Sequence, residues 1–293
     1  MAEHRLRLSD GAGILLRRTG NPEGPRLLVS HGTGFAVDGF ARMWQPLAAG
    51  CDLVLFDLRG HGRNGAVAPQ SVDAERLTRD MAEIVAGCHE HFGARPCFGL
   101  FHSISALMAL RLESASPGSF AGLVLIEPPA TPPADDPRFD AFEAGRMALA
   151  SRSARRQARF GAVAELAGKF TARGPFRFFE PGAAEELAAA MLVPDDDSWR
   201  LACPPEVEAA YFARNLDDGL RQRLRHVACR VLMLVGREDL AIDGTPACIA
   251  LDLARMGGFD LLELADATHM LPLERPQAIA QATLGFLRLH AAA

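Results

Sequence analysis

Short apolar runs, each stopped by glycine, proline or a polar residue, recur along the chain and set its expected architecture. The runs read as strands are Arg5–Leu8, Ile14–Arg18, Arg26–Ser30, Leu53–Asp57, Cys97–Phe101, Leu123–Ile126, Val231–Val235 and Leu261–Leu264. The first two alternate in character around a glycine-containing turn, the pattern of an antiparallel hairpin at a sheet edge. The later runs are almost uninterrupted hydrocarbon, as parallel strands covered on both faces should be. Helix-compatible stretches separate them at Asp73–Cys88, Ser105–Glu113, Pro246–Met256 and Pro276–Leu289. This alternation predicts an α/β fold, with a mostly parallel central sheet of about eight strands flanked by helices.

The alternation stops between Thr131 and His226. Pro128, Pro129, Pro132, Pro133 and Pro137 crowd its start, where helix propagation is unfavourable. Ala- and Arg-rich helical stretches follow around Phe142–Phe160 and Ala183–Leu192, with no clear strand. The expected organisation is a core built from residues 1–130 and 226–293, interrupted by a helical cap over 131–225.

Composition narrows the possibilities. With 293 residues, 49% of them hydrophobic, the chain is long enough for one large α/β domain or a core with a small insertion. No stretch reaches the roughly 18–20 apolar residues of a bilayer span. Met1–Asp10 is charged and alternating, unlike a secretory signal. The expectation is a cytoplasmic protein without a membrane partner. A net charge of −5 and the lack of a basic stripe argue against a nucleic-acid partner. Arg152, Arg155, Arg156 and Arg159 are expected to form a solvated face of one helix. Lys169 is the only lysine, which confines Schiff-base chemistry to that position. Together with the abundance of Ala and Gly, this fits GC-rich, bacterial coding. The six cysteines form neither a CxxC pair nor a zinc-spaced cluster with histidine. Reduced, mostly buried thiols in a reducing compartment follow, with no metal and no cofactor expected.

Four segments carry candidate chemistry. In Cys97-Phe-Gly-Leu-Phe-His-Ser-Ile-Ser-Ala106 a buried strand runs into Ser103 and then into a helical run. Such a strand-to-helix turn lifts a hydroxyl above the sheet edge and aims the first helical amides at a reacting carbonyl. The usual Gly-x-Ser-x-Gly pattern is altered, because Phe101 and Ser105 stand where glycines are expected. Val231-Leu-Met-Leu-Val-Gly-Arg-Glu-Asp239 ends a strand on acids. Asp239 is the expected partner for an imidazole, Glu238 is the local alternative, and Glu127, after an earlier strand, is the distant one. His269, in Ala267-Thr-His-Met-Leu-Pro-Leu-Glu274, follows the last strand, where a neutral imidazole would serve as general base. Finally, Leu27-Leu-Val-Ser-His-Gly-Thr-Gly-Phe35 is a strand followed by a glycine loop. Thr33, with Gly34 as the neighbouring possibility, would supply one oxyanion amide and Ile104 the second.

These segments, together with Asp57-Leu-Arg-Gly-His-Gly-Arg-Asn64, resemble the α/β-hydrolase superfamily in order and spacing. The resemblance covers the core from about Arg5 to Ile126 and from Val227 onward. It implies a Ser103–Asp239–His269 triad, and it implies a structural rather than catalytic role for Asp57 and His61. Relatives that cleave epoxides or carbon–halogen bonds carry aspartate at the elbow, so Ser103 argues against both activities. Leu201-Ala-Cys-Pro-Pro-Glu-Val-Glu-Ala209 also resembles the cap of uncharacterised bacterial hydrolases and carries no substrate assignment.

The resulting expectation is hydrolysis of an ester, thioester or lactone through an acyl-enzyme, with a small hydrophobic acyl compound as substrate. Carbon–carbon bond hydrolysis and acyl transfer suit the same residues. Phe35, His102, Trp199, Tyr211 and Met270 are candidate pocket residues. A homodimer is compatible with the sequence. The contrasting class is an inactive small-molecule binding protein on the same scaffold, which the altered elbow keeps open. No repeat or low-complexity tail supports a purely structural module.

Overall fold

The structure, a computed structural model, describes residues 1–170, 176–217 and 219–291. β1 (Ala2–Arg7) and β2 (Gly13–Gly20) form the expected antiparallel hairpin, with Leu6 opposite Ile14. β3 (Arg26–Ser30), the short helix α1 (Ala41–Trp44), β4 (Asp52–Leu55), α2 (Ala74–Phe92), β5 (Cys97–His102), α3 (Ile104–Ala115) and β6 (Gly122–Ile126) follow. The chain then leaves the sheet for α4 (Phe139–Ala154), β7 (Arg159–Phe160), α5 (Val163–Ala167), α6 (Ala183–Met191), β8 (Leu192–Asp195), β9 (Ser198–Leu201), α7 (Pro205–Ala213) and α8 (Leu220–Arg223). It returns with β10 (Arg230–Gly236), α9 (Pro246–Gly257), β11 (Asp260–Leu264), α10 (Leu271–Glu274) and α11 (Pro276–His290).

The eight-stranded sheet runs β1-β2-β4-β3-β5-β6-β10-β11. Its pairs are parallel from β4 to β11 and antiparallel on the hairpin side. Apolar layers cover both faces of the sheet. One is built on Met81 of α2, Leu107 of α3 and Leu253 of α9, the other on Met43 of α1 and Phe286 of α11. Local chemistry supports each element. Asp73 caps α2 by accepting the Arg76 amide at 2.8 Å, and Leu77, Met81, Ile84 and Cys88 fall on its buried stripe. α3 is buried all round because it packs against α2, α8 and the strands β5 and β6.

Three expectations need correction. Leu261 and Leu262 of β11 are each 37% exposed rather than covered, because β11 is the terminal strand and, among the described residues, pairs on one side alone, with β10. The segment between β6 and β10 is not purely helical: β7, β9 and β8 form an antiparallel three-stranded sheet. The four arginines do not share one helix face, since α4 ends at Ala154. Arg156 instead pairs with Glu208 of α7, and Arg159 of β7 with Asp195.

The inserted segment rests on the loops after β3 and β4. The Tyr211 hydroxyl donates to the Arg59 carbonyl at 3.0 Å, and Arg42 pairs with Glu186 at 2.8 Å. All six cysteines are free thiols, and Cys229 alone among them is not fully buried. No helix among the described residues is long and apolar enough to cross a membrane.

Candidate active site

β5 passes into α3 through a single residue, Ser103, whose backbone stands at φ 57, ψ −119. A non-glycine residue rarely adopts a positive φ, and strain of this kind persists only where the surroundings enforce it. They do so here. The Ser103 amide donates to the Ile126 carbonyl at 2.8 Å, tying the turn to β6. Ser105 replaces the expected glycine without penalty, because its hydroxyl donates to the His102 carbonyl at 2.9 Å and accepts the His102 amide at 3.1 Å. Phe101 is fully buried, with its ring against Phe56 and Phe120 at centroid distances of 6.1 and 5.8 Å. The ring folds back over Gly99, where a Cβ would lie 2.2 Å from Phe101 Cε2. The missing glycine is thus compensated two residues upstream.

His269 lies between β11 and α10, with its Nε2 3.1 Å from Ser103 Oγ. Its Nδ1 is 2.7 Å from Glu127 Oε2. Nδ1–H therefore donates to the carboxylate, which leaves Nε2 free to accept the serine proton. Glu127 is wholly buried, has φ 43, and accepts the Gly236 amide on its other oxygen at 2.7 Å.

Asp239, expected on the imidazole, does not meet the ring: its Oδ2 accepts the His269 backbone amide at 2.9 Å. The topology explains the exchange. β6 and β10 are neighbours, so both acids emerge at one sheet end. Glu127 directly follows β6 and turns back through its positive φ, whereas Asp239 closes a 3₁₀ turn beyond β10 and reaches the peptide instead. Glu238 is exposed, with its amide on the Ala267 carbonyl at 3.1 Å. Thr268 is braced by buried Glu274, whose carboxyl burial pushes above its ordinary range.

The loop after β3 passes directly under the serine, since a Cβ on Gly32 would sit 3.0 Å from Ser103 Cβ. The Asp57–Asn64 loop clamps it. The Gly34 amide donates to His61 Nε2 at 2.9 Å, the Val37 amide to Asp57 Oδ1 at 2.8 Å, and the Leu58 amide to His31 Nε2 at 3.1 Å. Burial, reinforced by nearby His31, lowers His61 to about 3 and keeps the ring neutral. The Gly34 amide is therefore occupied by the His61 ring. Ile104 opens α3, where helix geometry offers its amide no acceptor.

The expected pocket residues divide. Met270 is buried beside His269 and Phe35 is half-buried against Phe40, with ring centroids 5.9 Å apart. Trp199 is half-buried on β9 and packs into the second apolar layer. Tyr211 does not line an open pocket. Its ring packs edge-on against His61 at 5.0 Å and its hydroxyl is held by Arg59. His102 is also fully buried, with its Nε2 2.9 Å from the His269 carbonyl. The sequence signal for Glu127, the distant alternative, is an acid directly after a fully apolar strand, Ile126-Glu-Pro-Pro.

A strained serine between a parallel strand and a helix, faced by a histidine from the C-terminal loop, marks the α/β class of hydrolases. The chain belongs to the alpha/beta hydrolase family, whose sequence profile matches residues 27–282. Human monoglyceride lipase is 32% identical over 112 residues, 38% of this chain and 36% of that protein. Lipase LipV of Mycobacterium tuberculosis is 27% identical over 265 residues, 88% of this chain and 92% of that protein. The chain spans less than half the length of the first curated relatives it matches. Among solved structures, E-2-(acetamidomethylene)succinate hydrolase superposes with a TM-score of 0.79 at 17% identity, covering 98% of this chain and 99% of that one.

Proposed function

We propose that the protein hydrolyses carboxylic esters or closely related acyl compounds through an acyl-enzyme on Ser103. The observation that carries this reading is the unbroken chain of contacts Ser103 Oγ–His269 Nε2 at 3.1 Å and His269 Nδ1–Glu127 Oε2 at 2.7 Å. Ser103 Oγ attacks the acyl carbon while His269 takes its proton, and Glu127 stabilises the imidazolium. The Thr33 and Ile104 amides receive the oxyanion. His269 then protonates the departing alkoxide, and a water molecule, deprotonated by the same imidazole, releases the acid and restores Ser103. The triad in this reading is Ser103–His269–Glu127, with Asp239 outside it.

The named lipase relatives support ester chemistry. In this reading the segment 131–225 acts as a cap, and half-buried Phe35 together with Met270 beside His269 favours a small hydrophobic acyl substrate. The test is a panel of p-nitrophenyl esters of increasing acyl length, run beside a thioester and a lactone. At least one should turn over, and Ser103→Ala should reduce that rate to background while leaving the melting temperature unchanged. Wild-type turnover by Ser103→Ala would refute the proposal.

A further inference from the structure

We propose that His102 and Asp239 are positioning residues that grip the His269 peptide from both sides and so fix the imidazole relative to Ser103. This rests on the reading of His269 as the base. His269 sits outside any regular element, between β11 and α10, where a ring carried on two rotatable bonds needs its backbone held. Asp239 Oδ2 accepts its N–H at 2.9 Å, and His102 Nε2 meets its carbonyl at 2.9 Å.

A carbonyl only accepts, so His102 carries its hydrogen on Nε2 and leaves Nδ1 bare. That nitrogen is buried, with no partner among the described residues. It points at Gly32, where a Cβ would lie only 2.9 Å away. No described residue takes a second ring proton, and burial, aided by the nearby His269, drives the His102 pKa well below its ordinary value. The ring is therefore a fixed, uncharged donor.

Packing alone does not call for histidine at this position. The ring is fully buried and meets Phe40 edge-on at 5.4 Å, so an apolar side chain would fill the space without stranding a nitrogen. What histidine adds is the bond to His269. Because His102 is the last residue of β5 and adjoins Ser103 in the chain, that bond refers the base's loop directly to the nucleophile's own strand. The Ser105 hydroxyl in turn holds the His102 backbone at both its amide and its carbonyl.

The test compares His102→Phe with His102→Gln, whose amide N–H replaces Nε2–H, and Asp239→Ala with Asp239→Asn, which keeps an acceptor. For each variant kcat and KM on a p-nitrophenyl ester, the rate of Ser103 labelling by a phosphonate, and the melting temperature are measured. His102→Phe and Asp239→Ala should each lower kcat and the labelling rate by about 10–100-fold, the scale expected of small misplacements, with KM within about twofold. Gln and Asn should restore most of the loss. Wild-type kcat in both Phe and Ala variants, or no rescue by Gln and Asn, would overturn the proposal. If His102→Phe fails to fold, the Asp239 pair, in a half-buried loop, still decides it. An unlabelled wild-type protein would instead remove Ser103 as nucleophile, a separate failure.

Discussion

Replacing Glu127 with glutamine separates the two acids most sharply. Glu127 Oε1 accepts the Gly236 amide at 2.7 Å, while Oε2 faces His269 Nδ1 at 2.7 Å. Glutamine fills the same envelope with one acceptor instead of two. If its oxygen serves Gly236, its NH₂ confronts Nδ1, and the imidazole hydrogen moves to Nε2, where the ring no longer accepts the serine proton. If the amide flips, the Gly236 N–H is left buried and unsatisfied, at about 1–3 kcal/mol. Even in that pose the imidazolium has lost a charged partner worth about 1.5–3 kcal/mol. The two effects sum to about 2.5–6 kcal/mol, or about 10²–10⁴ in kcat. Asp239→Asn retains an oxygen for the His269 amide and should stay within about tenfold of wild type. Steady-state kinetics on one p-nitrophenyl ester, with melting temperature as the folding control, decides between them. A larger kcat loss for Asp239→Asn than for Glu127→Gln would refute the assignment of the acid.

Restoring the elbow glycine should harm the protein: Phe101→Gly empties the space between Phe56 and Phe120, at about 3–5 kcal/mol, and should lower the melting temperature by about 10 °C. An unchanged melting temperature would contradict that packing. Burial, opposed by Arg221 and Arg111, raises Asp217 from 3.8 to about 7. The unfolded chain then releases this proton first, so stability falls as pH rises across that window. Asp217→Asn should therefore melt higher than wild type at pH values above about 7, with little gain near pH 4; an equal difference at both would refute it. His61 has the opposite sign. Its folded pKa lies near 3, below the 6.5 of the unfolded chain, so its contribution is present above 6.5 and fades as pH falls. His61→Gln should flatten that acid-side loss in thermal melts, and a slope as steep as wild type would contradict the neutral-ring assignment.

What the chain disclosed before folding followed from local pattern. The hairpin was visible in the alternation of Arg5–Leu8 and Ile14–Arg18, and the parallel strands in their unbroken hydrocarbon. Ser103 and His269 were legible from their places after strands, and the fold brings them within hydrogen-bonding distance. The strands of the inserted segment were hidden because Pro194 and the Asp195-Asp-Asp197 turn read as a loop, and β7 is only two residues long. Chain order ranks Asp239 and Glu127 equally well as the acid that meets the ring. Only the neighbouring of β6 and β10, with the positive φ at Glu127, decides which carboxylate reaches the ring and which reaches the peptide. His102 gave no signal as a clamp, since its partner is a backbone carbonyl 167 residues away.

The central claim is that Ser103 is a nucleophile activated by His269. Intact-mass and peptide analysis after treatment with a fluorophosphonate tests it most directly. One adduct per chain, located on Ser103 and formed far more slowly in His269→Ala, is the predicted result. No adduct on wild-type protein, or an adduct on another residue with Ser103 unmodified, would contradict it.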